Sequence, residues 1–141
     1  MTIRIDMRVT KKSRLPGQAR AIDDTVKKLV RETADKALDE ARKSMRSPKT
    51  GRIYPGGHQA SAPGQAPAIW HGNLYAMTRS RSISATSAEV TAPEVPGKFL
   101  EYGTTKMAPR PFLRPAARKA ATWVRTQGPR KVAIKVRAVP W

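Results

Sequence analysis

An α+β fold is predicted, with an antiparallel sheet of four or five strands packed by one long N-terminal helix and one shorter C-terminal helix. Three observations predict it. Apolar residues recur every three or four positions over 16–46 and again over 112–127, the period of a helix that buries one stripe. Ile3, Ile5, Met7 and Val9 alternate with Thr2, Arg4, Asp6 and Arg8, and Val132, Ile134 and Val136 alternate with Ala133, Lys135 and Arg137, as half-buried strands do. The links between the strand-like runs are short, which suits antiparallel pairing. At 141 residues, 1–141 reads as a single domain, large enough to bury a core of its own.

Taken in order, residues 2–9 give the first strand, and Lys11 to Arg14 a basic loop. Pro16 suits the first turn of a helix, because a helix start needs no bonded N–H there. Ile22, Val26, Leu29, Val30, Ala34, Ala37, Leu38, Ala41 and Met45 then form the buried stripe of a helix over 16–46, which Ser47-Pro48 ends. Asp24 and Lys28, Glu32 and Lys36, and Asp39 and Lys43 stand one turn apart, pairs worth a few tenths of a kcal/mol each. A helix of this length spans roughly 45 Å, against about 37 Å for a compact domain of this size. Part of it is therefore expected to overhang, bend or lie against a neighbouring subunit.

Residues 47–69 carry four prolines and four glycines and no periodicity, so they read as an extended loop or arm that orders on assembly. Ile69 to Met77 suit two turns of helix with Trp70, Leu74 and Met77 facing inward. Ser80 to Ala92 read as a weak hairpin about a Thr86-Ser87 turn. Phe99 to Tyr102 add a short, buried, strand-like piece. A second helix over 112–127 buries Phe112, Leu113, Ala116, Ala120, Trp123 and Val124, with Gly128-Pro129 as its stop. The last strand follows, and Trp141 ends the chain.

The net charge is +18, unevenly spread: +4 over 1–15, +2 over 16–46 and +12 over 47–141. From Tyr102 onward there are ten bases and no acid. Such a field favours a polyanion or an acidic protein partner. No cysteine is present, which excludes disulfides and thiolate metal sites. No apolar run approaches the roughly 18 residues that span a bilayer, and the alternating N-terminus has no signal-peptide core. A cytoplasm, or a particle assembled in one, is the expected setting, with no membrane contact.

Groups for catalysis do not converge. His58 and His71 are thirteen apart with no carboxylates or cysteines to complete a metal sphere, so no metal or other cofactor is expected. Glu89, Glu94 and Glu101 are too sparse for an acid/base pair, and Ser61, Ser80 and Ser82 lack a His–Asp support set. Gly56-Gly57 precede no Lys-Ser/Thr, so a phosphate-binding loop is absent. An enzyme is not expected. No helix-turn-helix, RNA-recognition or zinc-finger pattern appears either, although the charge suits loose, salt-sensitive contact with DNA.

The stretch Phe99–Ala117 organises the reading. Gly103 allows a sharp turn at a positive φ. Pro109 and Pro111 hold Ala108 and Arg110 extended, and Pro115 fits the first turn of the following helix. The result is a stiff connector that carries Lys106, Arg110 and Arg114 outward. Its Glu-Tyr-Gly-Thr and Pro-Phe-Leu-Arg-Pro-Ala segments resemble the signature of a tailed-phage family of head–tail joining, or tail-completion, proteins. Residues Ser61 to Pro67 and Gly72-Asn73-Leu74 resemble two further pieces of the same family, in the right order. The family's usual Thr before that Gly is His71 here, and its basic residues arrive late, at Arg79 and Arg81. The resemblance covers about residues 16–122.

The resemblance implies a structural protein of the virion tail or neck, assembled in the host cytoplasm as a closed ring of six subunits at the head-proximal end of the tail. Its partners would be further copies of itself, the tail tube and the neck or connector proteins, with weak non-specific contact to passing DNA. Tyr102, Gly103, Thr104, Met107, Pro111 and Phe112 are the expected partner-facing residues. Arg79, Arg81, Lys106, Arg110 and Arg114 are expected to face acidic partner rings or DNA in the lumen. Self-repulsion between such basic subunits predicts a monomer in dilute, low-salt solution. The alternative reading is a basic, non-sequence-specific nucleic-acid-binding domain, and a more distant one an RNase-type toxin.

Overall fold

The structure is a computed structural model that describes residues 1–9 and 15–127, together with the backbone of 132–139. The expected loop at 11–14, the Gly128-Pro129 stop and Trp141 lie outside the described residues. The elements are β1 (Thr2–Val9), α1 (Pro16–Arg46), α2 (Asn73–Met77), β2 (Arg79–Ser84), β3 (Ser87–Thr91), α3 (Glu94–Tyr102), α4 (Leu113–Gln127) and β4 (Val132–Val139).

The class is α+β, but the detailed architecture differs from the expectation of four or five strands and two helices. Three strands in the order β2-β3-β1 form the antiparallel sheet whose side chains are described, and β4 extends it by pairing with the other side of β1. No fifth strand exists among the described residues. The strand-like piece at 99–102 is instead the last turn of α3, a helix kinked at Val95. Among the described residues α2 lies within the stretch expected to make two turns of helix, and α3 is the helix that was not expected.

The core sits between one face of the sheet and the α1–α4 pair. Ile3, Ile5 and Met7 of β1 and Ala88 and Val90 of β3 point into it, and Val26, Leu29, Val30, Ala34, Ala37, Ala41 and Met45 meet them from α1. α1 runs beneath β1, β2 and β3, while α4 lies beside α1 and under β4. Thr2, Arg4 and Asp6 on the opposite sheet face are only half-buried, because no described helix covers them. No described side chain between Leu15 and Thr25 is fully buried, and within that stretch half-buried Ile22 packs against the core. The one-turn ion pairs that form on α1 are Lys28 with Glu32 (3.8 Å) and Lys36 with Glu40 (3.0 Å), in place of the three expected ones.

Two further expectations are corrected. Trp70 and Met77, expected inward, are 57% and 56% exposed. The reason is that α2 has only five residues, so Trp70 precedes it, and the side chains it turns toward the core are Leu74 and Tyr75. The β2–β3 turn falls at Ala85-Thr86, one residue earlier than expected.

Small residues line the buried faces of both long helices: Ala34, Ala37 and Ala41 on α1, and Ala116, Ala117 and Ala120 on α4. They leave no room for larger side chains. Ala120→Leu should therefore overpack this seam and cost about 1–3 kcal/mol, read as a lowered urea midpoint with unchanged slope.

Candidate functional site

Glu101 is the buried centre of the connector. Its side chain is 0% exposed. One carboxylate oxygen accepts hydrogen bonds from the backbone N–H groups of Phe112 (2.9 Å) and Leu113 (3.0 Å). The other accepts from the backbone N–H of Arg114 (2.9 Å) and from Arg114 Nε (3.1 Å). An η nitrogen of Arg114 returns to the Glu101 carbonyl at 2.9 Å. The first N–H groups of any helix lack intrahelical acceptors and carry partial positive charge. A carboxylate placed there satisfies α4, and α4 with Arg114 offsets the desolvation of the carboxylate. The Arg114 guanidinium then lies 4.9 Å from the centre of the Tyr102 ring.

Gly103 follows in a conformation open in practice to glycine alone (φ 79°, ψ −177°). A Cβ there would sit 2.7 Å from the Met107 carbonyl oxygen and 2.9 Å from the Pro109 nitrogen. The turn it begins closes through Thr104 N–H to the Met107 carbonyl (2.8 Å), with exposed Lys106 at its tip. The chain then returns along α3, where Arg110 N–H donates to the Leu100 carbonyl (2.6 Å).

The 47–69 loop docks on this connector. Gly64 N–H donates to the Pro109 carbonyl (2.9 Å), and Arg110 Nε donates to the Ser61 carbonyl (3.1 Å). Within the loop, Gln65 Oε1 accepts from the N–H groups of Thr50 (3.1 Å) and Ala62 (3.0 Å). Gly51 N–H meets the Ala60 carbonyl, and Ile53 pairs with Gln59 in a small antiparallel bridge. Lys49 closes the C-terminal end of α1 by donating to the Ser44 carbonyl (2.7 Å), and its burial lowers its pKa. Loop and connector thus form one hydrogen-bonded unit.

The predicted partner-facing residues divide between surface and interior. Tyr102 and Thr104 are exposed; Gly103, Met107 and Pro111 are half-buried. Phe112 is fully buried and belongs to the core, since it precedes the α4 stripe on its inner side. Of the predicted cations, Arg79 and Arg81 stand two apart on β2, with Arg81 paired to Glu89 across the strand. Lys106, Arg110 and Arg114 lie on the connector, and the latter two are half-buried and hydrogen-bonded. No hydrogen bond or ion pair links the β2 group to the connector group among the described residues.

A second surface went unforeseen. Lys36, Arg42, Lys43 and Arg46 on α1 and Arg118 and Lys119 on α4 line two adjoining shallow clefts about Glu40. Glu40 takes Lys36 (3.0 Å) and Lys119 (3.0 Å), and these hydrogen bonds hold its carboxyl below the usual range. Arg42 and Arg46 pack against the Tyr75 ring, 5.0 and 4.8 Å from its centre, and Arg46 also donates to the Tyr75 hydroxyl. The helical spacing of Lys36, Lys43 and Arg46 was the available signal in α1; the α4 contribution required the packing of the two helices. Among the described residues no three metal-ligating side chains cluster, and no helix is long and apolar enough to cross a membrane.

No protein-family model, curated protein or solved structure matches the chain.

Two outcomes follow from this geometry. Glu101→Ala leaves Arg114 and three helix N–H groups without their acceptor and should cost about 3–5 kcal/mol by chemical denaturation; Arg114→Ala, at a half-exposed position, should cost less. The depressed Glu40 pKa means that the folded state binds fewer protons than the unfolded chain as pH drops below the ordinary value of 4.5. Its stabilisation is present above that pH and disappears as pH falls through the folded value. Glu40→Gln should therefore flatten the acid limb of a stability–pH curve measured by thermal melting.

Proposed function

We propose that the chain is a structural assembly protein of a tailed phage, which completes the tail and joins it to the head as a ring at the head-proximal end. The observation that carries this reading is the Glu101 lock. It holds Glu-Tyr-Gly-Thr and Pro-Phe-Leu-Arg-Pro, the two segments that carry the family resemblance, in one rigid unit. Tyr102, Thr104, Thr105, Lys106 and Pro109 remain exposed on that unit. A surface ordered before contact loses little conformational freedom on docking, as a joint between repeated subunits requires. Self-copies, tail-tube and neck proteins are its partners in this reading, and passing DNA makes only weak contact. Particles assembled without the chain should show heads and tails unattached, or tubes of wrong length, by electron microscopy. Normal particles, or purified virions lacking the chain, would overturn the reading.

The cationic α1–α4 surface favours one second reading, a basic nucleic-acid-binding domain of no sequence preference. Six bases lie there against Glu40 and Asp39. In that case duplex DNA should bind with a log–log salt slope of about −4, and Lys43→Glu with Arg118→Glu should abolish binding. Weak, shallow-sloped binding that survives those changes counts against it.

A further inference from the structure

The 47–72 segment presents a feature that a rigid loop does not need for its own stability. Trp70 is 57% and Ile53 65% exposed, with Tyr54 and Ile69 each 38% exposed, although the loop beneath them is tied down by the contacts given above. Trp70 gathers the other rings: His58 at 4.3 Å, His71 at 5.6 Å and Tyr54 at 5.8 Å between centroids. Together they border a cleft of about 490 Å³ between the loop and α3, with Leu74, Leu100 and Met107 on its walls. That volume falls in the range of pockets that take a small ligand or a few side chains. Exposed aromatic groups on a fixed frame mark interaction sites.

The charges around the cleft select the occupant. Among the described residues no Asp or Glu lines it. Arg110 lies in its wall, and among the described residues the Ser61 carbonyl is the side chain's hydrogen-bond acceptor, made through Nε. Arg52 lies 5.4 Å from the centre of the Tyr54 ring at the rim. A second copy of the chain would bring a like charge of +18 to this rim. We infer that the cleft is a docking site for an acidic peptide segment of another protein, which inserts an aromatic side chain beside Trp70 and sets a carboxylate against Arg110. This inference stands without the proposed function: it requires an acidic partner, and no phage particle.

The test is an amide and indole NMR titration of the full chain with the blocked pentapeptide Asp-Glu-Phe-Glu-Asp. Two control peptides replace Phe by Gly, or every acid by Lys. Saturable shifts should centre on the Trp70 indole and the amides of Gly72, Leu74 and Met107. Trp70→Ala and Arg110→Gln should each weaken binding roughly tenfold, as loss of an anchor does, and both controls should bind more weakly than the probe. Trp70 is exposed, so its variant keeps the fold and decides the matter should Arg110→Gln loosen the loop. Equal affinity for the Gly control, indifference to Trp70→Ala, shifts confined to the α1–α4 surface, or no binding at millimolar peptide would each overturn the inference. Shifts at the cleft that grow with protein concentration alone would assign it to a second copy instead and overturn the acidic occupant.

Discussion

A single carboxylate inside the fold fixes how the C-terminal half is put together. Glu101 lies in the last turn of α3, and its two oxygens meet the N–H groups at the start of α4 eleven to thirteen residues later. A buried charge is tolerated only where every lone pair has a donor, so α3 and α4 have one relative placement. The connector between them must then turn back within a few residues, which is why Gly103 occupies a backbone region closed to other residues. Arg110, carried on the same return, reaches the Ser61 carbonyl and fixes the long loop. One interaction thus propagates from helix to turn to loop.

The exposed chemistry is distributed around that frame and is of three kinds. The connector offers mixed polar and aromatic groups, the α1–α4 surface offers cations about a shared Glu40, and the loop offers aromatic rings with an arginine beneath them. Glu101 is taken up by backbone donors and Arg114, and Glu40 is held by two lysines. All three suit recognition through area, charge and shape.

The sequence made some of this legible and hid the rest for identifiable reasons. β1 and α1 were readable to the residue because their periodicity is long and uninterrupted. α3 was not, since Pro96 and Gly97 break any helical pattern, and its Phe99 and Tyr102 are exposed while Glu101 is buried. That inversion depends on N–H groups at 112–114, which no local pattern reveals. The connector's turn at Gly103 was legible from residue type; the inward placement of Phe112 was legible as helix packing but conflicted with its expected partner-facing role. The basic surface was missed because α1 is nearly neutral along its length, and its bases segregate only when α4 is laid beside it. Trp70 was misplaced by an assumed second turn of helix that α2 does not have.

The bordering strand β2 bears on solubility. An outermost strand leaves a row of backbone groups unpaired, and those groups recruit further strands from identical molecules. Here the border is short, carries Arg79 and Arg81, and slips register between Ser82 and Ser84. Like charges and a local kink both oppose flat stacking. Both features disfavour the addition of strands from identical molecules along that margin.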